Sequence, residues 1–173
     1  MKFLKITVLF LLLLTVYTSL PAQQEMQICV TNTTTNNATF LDVGTTATLL
    51  DTVSLDLRPA PNGVAFGNGM FALVNSRSLS VTFLDSTTRS VRTIVSLNAG
   101  AIEPRTIVYG EVLSGTVQRR FAVADYRANR VSIIDATTFA ITDIATGSNP
   151  IAIAFGSGTF GGALRSVFVT ANE

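Results

Sequence analysis

Short apolar runs recur along this chain, each four to six residues long and bounded by Asn, Asp, Gly or Pro. The pattern is plainest between Phe121 and Gly156. Phe121-Ala-Val-Ala-Asp125 and Arg130-Val-Ser-Ile-Ile-Asp135 come first. Phe139-Ala-Ile-Thr-Asp-Ile144 and Pro150-Ile-Ala-Ile-Ala-Phe-Gly156 follow. β-branched and aromatic residues fill the runs and turn formers separate them, so each run predicts a β-strand. Several are apolar at every position instead of alternating, which predicts strands covered on both faces.

The unit has copies. Pro61-Asn-Gly-Val-Ala-Phe-Gly67 and Pro104-Arg-Thr-Ile-Val-Tyr-Gly110 share with Pro150–Gly156 a proline, an aromatic five residues on, and then glycine. Runs closing on an amide or carboxylate recur as Ile28–Asn32, Phe71–Asn75, Phe121–Asp125 and Phe168–Asn172. Phe40-Leu-Asp42, Phe83-Leu-Asp85 and Ile133-Ile-Asp135 form a third set, and Thr46, Thr88 and Thr138 each open a fourth run. The anchors return every 42 to 50 residues in fixed order. Such a period marks a repeat architecture.

Four antiparallel strands per 40–50 residues make a β-propeller blade, so the predicted class is all-β, a propeller. A two-sheet sandwich is the alternative, but it has no reason to repeat Pro-x4-aromatic-Gly. The first blade spans 26–55, with strands at 26–32, 38–42 and 47–55. The second spans 63–97, with strands at 63–67, 70–75, 79–85 and 90–97. The third spans 105–145, with strands at 105–109, 119–125, 130–135 and 139–145. A fourth begins at 151–155 and 165–171, after a Gly-rich loop at Ser157–Gly162. That makes about three to three and a half four-stranded antiparallel blades, fewer than the four to eight with which propellers close. The expectation is a partial propeller within 23–173, a fragment of a longer one, whose open blade faces invite self-association.

The repeat resembles a known family. Val30-Thr31-Asn32 and Phe168-Val-Thr-Ala-Asn172 are similar to the YVTN strand of the bacterial YVTN-type β-propeller repeats. Val131-Ser-Ile-Ile-Asp-Ala-Thr-Thr138 is similar to the VSVIDTAT strand that follows it, and Pro150-Ile-Ala-Ile-Ala-Phe155 to the PxGVAVS strand. The likeness runs from Met26 to the C-terminus, with Leu-Val-Asn at 73–75 and Val-Ala-Asp at 123–125 as departures. It implies a secreted or surface protein, and a related branch of propellers contains lactonases.

Residues 1–22 stand outside this pattern. Lys2 and Lys5 precede an apolar core at Ile6–Leu14, and Pro21-Ala22 leads into polar Gln23-Gln24-Glu25. This reads as a secretory signal peptide, shorter than the ~20 apolar residues of a spanning helix. Its removal takes both lysines, leaving ten arginines against eleven carboxylates and a net charge of −1. A near-neutral domain offers no footprint for nucleic acid, and no transmembrane segment remains. With 47% hydrophobic and 13% charged residues, the chain reads as folded. Cys29, the single cysteine, aligns with Ala72, Ala122 and Val169 and reads as a small packed residue.

Chemistry is sparse. There is no His, and no Lys after residue 5, which removes the usual general bases and amine nucleophiles. The acidic residues are scattered singly, so neither a metal site nor a cofactor is expected. The Asp-x-Thr-Thr segments at 85–88 and 135–138 read as turns in which Asp accepts backbone N–H bonds.

One rim of the ring gathers Arg58, Arg77, Glu103, Arg105, Asp125, Arg127, Asn129, Arg130 and Asn149. Five arginines against two carboxylates predict a basic rim suited to an anionic ligand, a carboxylate or a sulfated sugar. The expected role is a non-catalytic binding or scaffold module for a protein, glycan or small anionic ligand. The alternative is a lactonase-like hydrolase working through Glu103, Arg105, Asp125 and Arg127.

Overall fold

A computed structural model describes residues 27–43, 46–55, 59–114, 116–160 and 163–173. The proposed signal segment and Arg58 lie outside them. The described chain is all-β: thirteen strands form four antiparallel sheets, with no helix among the described residues.

Sheet one holds β1 (Gln27–Asn32), β2 (Asn37–Val43) and β3 (Ala47–Ser54). Sheet two holds β4 (Pro61–Gly67), β5 (Met70–Asn75), β6 (Ser80–Asp85) and β7 (Val91–Ser96). Sheet three repeats that order with β8 (Pro104–Ser114), β9 (Thr116–Asp125), β10 (Arg130–Asp135) and β11 (Ile141–Ala145). Sheet four is the hairpin of β12 (Pro150–Phe160) and β13 (Ala163–Asn172). Each strand pairs with its sequence neighbour, so every sheet is a simple meander.

The proline repeat has a structural counterpart. In β4, β8 and β12 the pairing register slips just after the proline, at Pro61/Gly63, Pro104/Thr106 and Pro150/Ala152. Proline has no N–H to give a ladder, so a bulge at the strand entrance absorbs it. The turns repeat as well. Asn36, Leu79 and Asn129 have φ of 55°, 52° and 53° in the loops that lead into β2, β6 and β10. Left-handed backbone suits asparagine and penalises leucine.

Two hairpins are longer than the sequence predicts. β8 and β9 stay paired as far as Ser114 opposite Thr116, and β12 and β13 as far as Phe160 opposite Ala163. The Gly-rich stretch expected to be a loop at Ser157–Gly162 is therefore strand through Phe160. Cross-strand ladder bonds to β13 outweigh the weak strand propensity of its glycines.

Alternation distributes the core between sheets. On β5, Phe71 and Leu73 join Cys29, Ala38 and Phe40 of sheet one in one cluster. Met70, Ala72 and Val74, on the opposite face, pack with Ile107, Phe121 and Val123 of sheet three. Ala122 and Ala124 then carry the core to Ile153 of sheet four. This is why the middle strand β5 is buried at all six positions. The sheets stack in chain order, β1 on β4, β4 on β8 and β8 on β12.

The aromatic-glycine pair forms the seam between sheets. Phe66 stands opposite Phe71, Tyr109 opposite Phe121 and Phe155 opposite Phe168, with ring centroids 4.9, 5.0 and 5.2 Å apart. A Cβ built on Gly67 would fall 2.1 Å from the Tyr109 ring, and one on Gly110 would fall 2.1 Å from that of Phe155. Only glycine lets the next sheet's ring approach so closely.

Candidate functional site

Antiparallel meanders bring the turns entering β6 and β10 to the same end as the connections entering β8 and β12. Arg77, Glu103, Arg105, Asp125, Arg127, Asn129, Arg130 and Asn149 all lie at this end, and the structure divides them by role.

Asp125 is fully buried. Its carboxylate accepts the backbone N–H of Glu103 at 2.8 Å and that of Ile102 at 3.1 Å. Arg130 lies alongside, its Nε 3.8 Å from Asp125 Oδ2 and its NH1 3.1 Å from Asp143 Oδ2. The same guanidinium donates to the carbonyls of Asn98 at 2.9 Å and Ala99 at 3.3 Å. Ser132 Oγ and Asn98 Nδ2 both donate to Asp143. Together these groups tie the connection entering β8 to the ends of β9, β10 and β11. They brace the fold, and a buried, hydrogen-bonded carboxylate of this kind is not open to a substrate.

Glu103 holds two arginines. Arg105 donates to its Oε1 from Nε at 2.9 Å, and Arg127 Nε reaches Oε2 at 2.9 Å. Arg105 also lies 3.8 Å over the Tyr126 ring, a cation–π contact. Tyr126 donates its hydroxyl to Glu173 at 2.5 Å, and that bond first of all raises the phenol pKa. Asn129 Oδ1 accepts the backbone N–H of Asn149 at 2.8 Å, which is turn bracing. Arg77 is exposed and makes no ion pair among the described residues.

The expected basic rim is corrected by two residues the sequence reading left out. Asp143 and Glu173 enter the cluster, so the described arginines Arg77, Arg105, Arg127 and Arg130 face four carboxylates. Asp143 sits in a strand, and only the packing of Arg130 across β10 and β11 brings it to the rim. Among the described residues no group of three or more His, Cys, Asp or Glu could hold a metal ion. No helix among them is long and apolar enough to cross a membrane.

A second feature was not foreseen. Asn75 is the counterpart of Asp125 in sheet two and is 1% exposed. Its Nδ2 donates to Ser80 at 3.1 Å and Thr82 at 2.8 Å, while its Oδ1 has no partner. The donors that serve Asp125 are missing here for a chemical reason. Pro59 stands in the place of Ile102 and has no N–H, and the N–H of Ala60 goes to Asn36 Oδ1 at 3.0 Å. A cleft of ≈ 280 Å³ opens beside Asn75, walled by Ser80, Thr82 and Ser96 and by Leu55 and Ile94.

No protein-family model matches the chain, and no curated protein matches it by sequence. Solved structures do. A complex of BBS1N with ARL6DN matches at a TM-score of 0.62 and 13% identity, covering 87% of this chain and 49% of that one. The hydrazine synthase of Kuenenia stuttgartiensis matches at 0.46 and 23% identity, covering 58% of this chain and 27% of the other. A streptogramin B lyase matches at 0.39 and 11% identity, covering 78% and 60%. This chain thus spans between 27% and 60% of the lengths of those proteins. The likeness to BBS1N and the four meandering sheets together give the chain a β-propeller-like fold.

Proposed function

We propose that the chain is a secreted, non-catalytic module built on a partial β-propeller of about three and a half blades, one that binds a glycan through hydrogen bonds. The observation that carries this reading is the cleft beside Asn75. It is lined by Asn75, whose buried amide oxygen has no partner, by several hydroxyls and by apolar side chains, with no charged group. Neutral sugars present that mixture, with hydroxyl donors on their edges and C–H groups on their faces. The YVTN-like strands and the signal-like N-terminus support export.

The hydrolase alternative needs Glu103, Arg105, Asp125 and Arg127 free to act. Asp125 is consumed by backbone N–H groups, and Glu103 by two guanidiniums. That arrangement favours binding over hydrolysis.

Saturation-transfer NMR against a panel of neutral monosaccharides and sulfated disaccharides tests the reading. Transfer to a neutral sugar is expected, weakened several-fold by Ser96→Ala at the open side of the cleft. Binding of the sulfated members alone, lost in Arg77→Ala, would return the site to the charged rim. Hydrolysis of a γ-lactone that disappears in Glu103→Gln would establish the enzyme instead.

A further inference from the structure

Two parts of the sheet stack lack a counterpart among the described residues. The seats at Gly67 and Gly110 are filled by rings of the following sheet, but a Cβ on Gly156 meets nothing within 4 Å. At the other end Phe66, the counterpart of Tyr109 and Phe155, is 58% exposed. Val64, on the same face of β4, packs into the cluster of sheet one. Among the described residues, however, sheet one has no strand inside β1 to carry a glycine beneath Phe66. The free edge of β1 also leaves Ile28 and Val30 exposed at 42% and 41%. An unpaired strand edge of this kind is a template for another strand.

We infer that β12 of a second copy fills this place. It pairs antiparallel with the free edge of β1, where β13 pairs on its own chain, and its Gly156 receives Phe66. The register follows from the repeat. Pro61 stands opposite Asn75 and Phe66 opposite Phe71; likewise Pro104 faces Asp125 and Tyr109 faces Phe121. In the composite sheet Pro150 therefore comes opposite Asn32, and Phe155 opposite Ile28.

Reciprocal exchange satisfies both open ends of both copies through one twofold axis. Each composite sheet then has four strands, β12 of one copy with β1, β2 and β3 of the other, like sheets two and three. Two such sheets and the four complete ones form a ring of six, within the range of closed propellers. Releasing β13 from β12 gives up a ladder of ten facing pairs for one along the six residues of β1, and the seating of Phe66 on Gly156 with the cover given to Ile28 and Val30 offsets that loss. A second copy is favoured over an unrelated strand because knob, seat and edge are all present, and complementary, in one sequence.

Size-exclusion chromatography with light scattering on the purified chain is expected to give a dimer. Gly156→Leu is expected to give a folded monomer with the strand content of the wild type, since its side chain has open space in the single chain and blocks Phe66 in the pair. Cys29 supplies an independent readout. Ala65 faces Ala72 in sheet two, and the same register sets Ala154 opposite Cys29 of the other copy. Ala154→Cys is expected to yield a disulfide-linked dimer on mild oxidation, and Cys29→Ser to abolish it. A monomer at every concentration overturns the proposal. So does a dimer that Gly156→Leu leaves intact, or an Ala154→Cys chain that never cross-links.

Discussion

Asp125 shows how one side chain holds several segments. Removing its carboxylate leaves the N–H groups of Ile102 and Glu103 unpaired and the Arg130 guanidinium with one acid fewer. Asp125→Ala is expected to cost about 3 kcal/mol in urea denaturation, the penalty of breaking a buried charged network from one side. Leu79 pulls the other way. It holds a φ of 52° where the equivalent turns use asparagine, so Leu79→Asn is expected to stabilise by about 1 kcal/mol. Cys29 is buried, and burial pushes its thiol pKa from 9.0 up to about 12. The folded state keeps that proton while the unfolded chain loses it, so stability falls as pH rises from about 9 towards 12. A thiol reagent at neutral pH is expected to label Cys29 only on unfolding.

At the scale of elements, the two Asp-x-Thr-Thr turns were legible because their chemistry is local. Asp85 Oδ1 accepts the N–H groups of Thr87 and Thr88 at 2.9 and 2.8 Å, and Asp135 repeats this with Thr137 and Thr138 at 2.8 Å each. The Thr88 and Thr87 amides hold the Asp85 carboxyl below its ordinary value. That stabilisation is present above the ordinary aspartate pKa and is lost as pH falls through the lowered one. Thermal melts in acid are therefore expected to converge for wild type and Asp85→Asn, with the wild type more stable at neutral pH. The extended β8–β9 and β12–β13 hairpins were not legible. Gly158, within the Ser157–Gly162 stretch, reads as a loop residue, and only the pairing partner across the ladder makes it strand.

Across the whole molecule, stability depends on the seams between sheets. Gly67→Ala and Gly110→Ala each drive a methyl into an aromatic ring of the next sheet and are expected to cost about 2–3 kcal/mol. Gly156→Ala has open space around it in the single chain and, at a dilution where the chain is monomeric, is expected to shift stability by less than about 0.5 kcal/mol. Comparing the three melts separates the role of the seam from the general cost of losing a glycine. The charged rim is a property of the same scale. Glu173 is far from Tyr126 in the chain and the stacking of sheet four on sheet three sets them together, whereas the pairing of β10 with β11 brings Asp143 beside Arg130.

The sequence by itself determined the strand repeat, its order and its turns, because period, β-branched runs and Asp, Asn, Gly and Pro signals act over a few residues. It also determined which residues recur at the seams, through the aromatic-glycine pair. Tertiary structure alone decided what those residues do. It buried Asp125 as a brace and left Asn75 Oδ1 without a donor because Pro59 has none to give. It also filled two glycine seats and left the third open. Such outcomes depend on which groups meet across sheets, and distance along the chain carries no record of that.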